Sequence, residues 1–149
     1  MVPERLRRLL PGLWAGWLLC VALLATPSAF ATLLPSDAGR AVARMLAIEA
    51  HTSLALGLVL LLLERFATRR SGGRQFSAGM GLALVALFCT VAGYFALQPM
   101  MAAARAGQGA LSFGQLHALS AVFYGIKLLL VLALAWRAAG PGLTRRPSS

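Results

Sequence analysis

The sequence predicts an all-α integral membrane protein, folded as an antiparallel bundle of four helices. Of its 149 residues, 59% are hydrophobic and only 12% are charged, and the mean hydropathy is +0.77. Soluble domains carry about a quarter charged residues, so this composition excludes an ordinary soluble protein. Four apolar segments reach the roughly 20 residues that a helix needs to cross a bilayer. We predict these spans over residues 9–30, 41–63, 77–97 and 113–136.

The segments between the predicted spans carry helix start and stop signals. Ser36 or Asp37 can cap the second span, because either side chain accepts from the free N–H groups of a first turn. Residues 68–74 form a polar, glycine-broken loop. Proline removes a donor and disfavours helix in the preceding residue, so Pro99 is expected to end the third span. Residues 105–109 form a second loose connector.

The chain divides into three parts by composition. Residues 1–8 form a basic N-terminus, residues 9–137 contain the four spans, and residues 138–149 form a polar tail that has nothing to bury. The start of the chain also resembles a secretory signal, since Arg7 and Arg8 precede an apolar stretch and an Ala29-Phe30-Ala31 site. Its uncharged run is longer than is usual in a signal, which favours an uncleaved first span.

The excess of positive charge, +10, follows the positive-inside rule. In a soluble protein it would suggest nucleic acid, but here it lies at the ends of apolar runs, so the predicted partner is the lipid bilayer and not nucleic acid. Ten arginines fall on one side: Arg5, Arg7, Arg8, Arg65, Arg69, Arg70, Arg74, Arg137, Arg145 and Arg146. Three fall on the other: Arg40, Arg44 and Arg105. We therefore expect a bacterial inner-membrane protein with both termini in the cytoplasm. Trp14, Trp17 and Trp136 fall near the cytoplasmic interface in this topology.

Polar residues on the fourth span form a single stripe. His117, Ser120, Tyr124 and Lys127 are spaced by three, four and three residues, which places them on one helical face. This face is expected to turn toward the other helices, because lipid cannot satisfy polar groups. The stripe is either a packing seam of interhelical hydrogen bonds or a polar pathway, and we favour the seam.

A second group of polar residues belongs to the other spans. Glu49 and His51 lie in the second span, and if that span starts near Met45, Glu49 lies at the depth of His117 and Gln98. We therefore predict a Glu49–His117 contact. Lys127 is placed about 12 Å deeper than Glu49, so no direct pair is expected between them. Replacing Lys127 by leucine is then expected to preserve or improve folding.

No motif in the sequence predicts a metal, a cofactor or a catalytic residue. The two histidines and the cysteines Cys20 and Cys89 show no C-x-x-C or H-x-x-x-H spacing, and the cysteines are interpreted as small buried hydrophobic residues. A haem held by both histidines is a weaker alternative. The sequence has no nucleotide loop, no G-x-S-x-G and no paired carboxylates.

Small residues predict close helix packing. Gly12 and Gly16 form a G-x-x-x-G pattern on the first span, and Gly93 lies near the end of the third. The predicted role of all three is contact between helices. A dimer interface at Gly12 and Gly16 is the alternative, so the partners left open are a second copy of the chain or another membrane protein.

Several motifs together resemble the domain-of-unknown-function 4149 family, which is related to eukaryotic transmembrane protein 205. The motifs are Leu13-Trp14-Ala15-Gly16 through Phe30, Ala38-Gly39-Arg40, Phe95 through Met101, and Phe113-Gly114-Gln115-Leu116-His117 through Ser120. The resemblance covers about residues 9–137. Some members carry an asparagine seven residues after the histidine, where this chain has Tyr124, so a role for that amide does not carry over.

The resemblance implies a small integral membrane protein without a settled activity. The expected function is a non-enzymatic structural, stress or accessory component of the cell envelope. The alternative is a small oligomeric transporter or metal-handling protein that uses the polar face of the fourth span. The Trp14-Ala15-Gly16 opening is also similar to the copper-resistance D membrane domain, which is an analogy at the level of the fold.

Overall fold

The computed structural model describes residues 2–70 and 76–140, and the regular secondary structure of these residues is entirely helical. Four helical stretches among them are long and apolar enough to cross a membrane. We call these the first to fourth long helices: Pro3–Thr32, Pro35–Arg70, Ala78–Arg105 and Phe113–Ala139. The all-α class and the four long apolar helices are therefore confirmed.

Two of the long helices contain a π-helical segment. In chain order the elements are α1 Val2–Leu19, a first π-helical segment Cys20–Ala25, α2 Thr26–Thr32, α3 Pro35–Arg70, α4 Ala78–Thr90, a second π-helical segment Val91–Ala96, α5 Leu97–Arg105 and α6 Phe113–Ala139. The second and fourth long helices are α3 and α6.

Each π-helical segment precedes a proline. Pro27 lies in α2 and Pro99 lies in α5, and the helix continues past both to Thr32 and Arg105. The prediction that Pro99 ends the third span is therefore wrong. A π-turn accommodates the missing N–H of a proline, because it shifts the register of the backbone hydrogen bonds before the ring.

The helix starts follow local rules, with one correction. Leu33 is extended, at φ −112° and ψ 157°, and α3 begins at Pro35, whose fixed φ suits the first helical position. The predicted caps Ser36 and Asp37 thus lie inside the first turn, where Asp37 pairs with Arg40. α6 begins with a capping box, in which Ser112 and Gln115 each bond the other's main-chain N–H.

Of the three connectors between the long helices, the two longer ones are residues 106–112 and 71–77. Gly107 and Gly109 adopt positive φ values of 73° and 103°, which explains the two glycines of the first connector. Most of the predicted 68–74 loop lies outside the described residues, as does the tail from 141 to 149. Three of the ten arginines assigned to the cytoplasmic side therefore also lie outside the described residues: Arg74, Arg145 and Arg146.

The helices pack around a main core, and a smaller apolar cluster of Leu97, Met101 and Leu116 lies between α5 and α6. α1 contacts α3 and α6, α4 contacts the same two helices, and α2 and α5 pack against α3 and α6 respectively. The core consists of Leu10, Trp14, Ala15, Leu18, Leu60, Ala83, Ala86, Val131 and Leu134. Trp14 is 0% exposed, so its predicted place at a lipid interface is wrong, whereas Trp136 is 84% exposed.

Candidate functional site

A buried ion pair lies between α3 and α6. The Lys127 ammonium donates a hydrogen bond to Glu49 Oε1 at 2.7 Å, and the two residues are only 3% and 2% exposed. The Lys127 ammonium also lies 4.7 Å from the centre of the Tyr124 ring, within the range of a cation–π contact. Two opposite charges are thus held together in the interior, where each alone would be costly.

The ion pair continues into a short hydrogen-bonded chain. Ser53, one turn after Glu49 on α3, donates its hydroxyl hydrogen to Glu49 Oε1. Trp14 on α1 donates its indole N–H to the Ser53 hydroxyl at 2.8 Å. Both Ser53 and Trp14 are 0% exposed. The chain Trp14–Ser53–Glu49–Lys127 therefore links the first, second and fourth long helices through polar side chains.

Two other residues of the α6 stripe donate to main-chain carbonyls. The Tyr124 hydroxyl donates to the Leu18 carbonyl at 2.8 Å, in the last turn before the first π-helical segment. The Ser120 hydroxyl donates to the Gly93 carbonyl at 2.7 Å, inside the second. Leu97 N–H, which an unbroken α-helix would direct to Gly93, bonds the Tyr94 carbonyl instead. Ser120 thus supplies a side-chain donor to a carbonyl inside the second π-helical segment.

Three of the predicted polar residues lie away from this chain. His117 is exposed and stacks on Phe113, with ring centres 5.8 Å apart. His51 is also exposed; its Nδ1 lies 2.7 Å from the Ala47 carbonyl. Gln98 is half-buried in α5.

The predicted Glu49–His117 contact is therefore wrong, and the Lys127–Glu49 pair that the depth argument excluded is present. The error came from the assumed start of the second span near Met45. α3 begins ten residues earlier, at Pro35. Glu49 is fourteen residues from the start of α3, and Lys127 is fourteen residues from the start of α6, about 21 Å along each axis. The two residues thus lie at equal depth.

The expectation that Lys127 faces the other helices agrees with its burial. The roles of Ser53 and Trp14 were not predicted from the sequence. A signal was present for Ser53, which follows Glu49 by four residues and therefore shares its helical face. No signal marked Trp14, since tryptophan is typical both of an interface and of a core.

A family model, described as "Domain of unknown function (DUF4149)", matches residues 9–110 of the chain. The chain belongs to this family. No curated protein and no solved structure matches the chain. The DUF4149 match includes Trp14, Glu49, Ser53 and Gly93. α6 begins beyond its last residue, so Lys127 and the rest of the polar stripe lie outside the matched region.

The glycines of this DUF4149 member divide into packed and free positions. A Cβ on Gly93 would lie 2.6 Å from the Phe123 Cβ, so the close approach of α6 requires glycine there. A Cβ on Gly12 or Gly16 would meet nothing within 4 Å. The prediction that Gly12 and Gly16 pack against another helix of the chain is therefore wrong. Gly57, which the sequence analysis did not single out, is packed, since its Cβ would lie 2.6 Å from Leu87 Cδ2.

The described residues hold no group of three His, Cys, Asp or Glu side chains that could bind a metal ion. Cys89 is buried, but Cys20 is exposed, which corrects its interpretation as a buried residue. The groups around Lys127 are the Glu49 carboxylate, the Lys127 ammonium and three neutral donors, Trp14, Ser53 and Tyr124. Each donor bonds either another of these groups or a main-chain carbonyl.

Proposed function

We propose that this protein is a multi-pass protein of the bacterial inner membrane, folded as an antiparallel four-helix bundle, with a non-enzymatic structural or accessory role in the envelope. The distribution of polarity supports the membrane placement. Large apolar side chains are exposed along the helices, among them Leu13, Leu23 and Leu129 at 66–68%. The buried set, in contrast, includes a full ion pair. A soluble protein shows the opposite distribution.

One observation carries the structural role. Each of three polar side chains on α6 donates a hydrogen bond to a different long helix: Tyr124 to the first, Lys127 to the second and Ser120 to the third. Interhelical hydrogen bonds of this kind hold membrane bundles together. Three of the four stripe residues, all except the exposed His117, thus make contacts that fix the positions of the helices, which favours a packing seam over a pathway.

A transport role is the second candidate, and the Glu49–Lys127 pair is the observation in its favour. Ionisable residues inside a membrane are rare and frequently mark ion or proton pathways. In this candidate the pair would open to exchange a proton or cation, and a small bundle would have to assemble into oligomers to form the path.

The two candidates differ in what the paired charges are needed for. We would compare the wild type with the double variant E49L/K127L in proteoliposomes, using an internal pH-sensitive dye and a divalent-cation dye. A structural role predicts fluxes equal to those of empty liposomes for both proteins. A wild-type flux that the folded double variant lacks would overturn the proposal in favour of transport.

A matching experiment in cells uses a deletion strain. Envelope integrity is measured as resistance to detergent and osmotic shock, and growth is measured across a range of metal concentrations. The proposal expects E49L/K127L to restore the wild-type phenotype as fully as the wild-type chain does. Failure of the membrane-inserted double variant to restore metal-dependent growth would contradict it.

A further inference from the structure

A cavity of about 790 Å³ opens at one end of the helices, away from the Glu49–Lys127 pair. It lies where the start of α1 meets the ends of α3 and α6. Its volume is within the range of cavities that bind small molecules, about 300–1,000 Å³. Among the residues that the structure describes, four arginines and two glutamates line it, which gives these groups an excess of two positive charges.

The two glutamates are already neutralised by arginine. Arg7 contacts both Glu4 and Glu64 at 2.9 Å, and Arg8 contacts Glu4 at 3.1 Å. Ser77, which caps α4, donates a further hydrogen bond to Glu64 at 3.1 Å. This network ties the start of α1 to the end of α3 and the start of α4. It forms the fixed wall of the cavity.

The positive excess therefore resides on the other two arginines, Arg70 and Arg137. Within residues 2–70 and 76–140, neither of them makes an ion pair. Between the charged groups the cavity has an apolar floor, in which the half-buried Ala67 and Ala138 lie beside the almost fully buried Pro11, Leu60 and Leu134. A basic rim above an apolar floor suits a ligand that carries an anionic group and a hydrocarbon chain.

We propose that this cavity binds the headgroup of an acidic phospholipid, with the phosphate between Arg70 and Arg137 and the start of an acyl chain on the apolar floor. Guanidinium groups match phosphate oxygens in charge and geometry. Basic pockets between membrane helices on the cytoplasmic side are suited to anionic headgroups. The proposal rests on the proposed membrane placement, because only there is a lipid available to the cavity.

The binding test uses the full chain, purified in dodecyl maltoside, with its melting temperature and native mass spectrum recorded. Dioleoyl phosphatidylglycerol, dioleoyl phosphatidylcholine and inorganic phosphate are added separately. We expect phosphatidylglycerol to raise the melting temperature and to remain bound in the mass spectrum. Phosphatidylcholine and inorganic phosphate are expected to do neither. An equal effect of phosphatidylcholine or of inorganic phosphate would overturn the assignment.

A matched pair of variants localises the binding. R70Q/R137Q removes two arginines from the cavity, whereas R65Q/R69Q removes two from the end of α3 that do not line it. Each arginine near an anionic lipid contributes about a fivefold change in affinity, so R70Q/R137Q is expected to bind phosphatidylglycerol about twenty-five-fold more weakly. R65Q/R69Q is expected to bind like the wild type. Equal weakening in both variants would show a general effect of surface charge and would contradict the proposal.

The result of the lipid-binding test does not depend on which of the two candidate functions is correct. Lipid binding in detergent does not require the ion pair to be structural, so flux through the wild type would overturn the structural role and leave the lipid site standing. Conversely, loss of the lipid effect in both arginine variants would remove the lipid site without bearing on the role of α6.

Discussion

At the residue scale, burying the Glu49–Lys127 pair costs free energy, but the pair specifies how α3 packs against α6. Removing two charges from water is expensive, and their attraction repays this only when the geometry is good and further hydrogen bonds are made. Here Ser53 adds one hydrogen bond to the carboxylate, and Tyr124 adds a cation–π contact to the ammonium. The pair therefore fixes the relative position of α3 and α6 more than it adds to net stability.

The first prediction concerns single and double replacement of this pair. Once the pair is known, K127L no longer removes a lone buried charge but leaves Glu49 unpaired, so it should destabilise the protein by about 3–5 kcal/mol. The double variant E49L/K127L should be as stable as the wild type or more so. The measurement is unfolding of purified protein in mixed detergent micelles. A K127L protein as stable as the double variant would contradict the pairing.

A second prediction compares two glycines. G93A places a methyl group against the Phe123 Cβ, so it should cost about 1–3 kcal/mol through overpacking. G16A is the control, because its methyl group meets nothing within 4 Å and alanine favours helix, so the melting temperature should be unchanged or higher. If G16A were the more damaging variant, Gly16 would have to contact a partner outside the chain.

At the element scale, the two π-helical segments are each accompanied by a proline and by a hydroxyl donor from α6. The proline removes a backbone donor, the π-helical register redistributes the remaining bonds, and the hydroxyl satisfies a carbonyl in or beside the segment. The arrangement lets the first and third long helices continue through a proline. It also makes the local order of each segment depend on one side chain of α6.

The third prediction is that each π-helical segment depends on one hydroxyl group of α6, the second on Ser120 and the first on Tyr124. S120A should increase amide hydrogen exchange in Val91–Ala96, and Y124F should increase it in and beside Cys20–Ala25, each with a small loss of stability of about 0.6 kcal/mol. Hydrogen exchange followed by mass spectrometry measures both segments in one experiment, and each variant serves as the control for the other. Equal changes in both segments after either replacement would show that the effect is not local.

Sequence patterns could predict the four apolar helices and the inward position of Ser120, Tyr124 and Lys127 on α6, because apolar length and spacing are properties of the chain itself. The same spacing was wrong for His117, which is exposed. The patterns could not predict the partner of Lys127. That partner depends on where α3 begins, and the start at Pro35 lies before the apolar run. The π-helical segments were equally hidden, since proline in a sequence indicates a helix end as readily as a register shift. Trp14 was misplaced because burial depends on which neighbours surround a residue.

At the scale of the whole molecule, the fourth prediction concerns topology. With ten arginines on one side against three on the other, we expect both termini to face the cytoplasm. Alkaline phosphatase fused after Leu34 or Gly107 should be active, and the same enzyme fused after Gly73 or Ser149 should be inactive, although the last two positions lie outside the described residues. Activity in the reverse pattern would refute the orientation. Activity after Gly107 but also after Ser149 would refute the fourth crossing.

The role of α6 has a consequence for the order of assembly during translation. α6 is the last of the four long helices to leave the ribosome, yet it carries the donors that reach each of the other three. Until it inserts, Glu49 has no cation and the Leu18 and Gly93 carbonyls lack their hydroxyl donors. In the proposed membrane placement, the first three helices are therefore an unfinished intermediate whose polar groups face the bilayer. We therefore expect insertion of the final helix to be the step that completes the bundle.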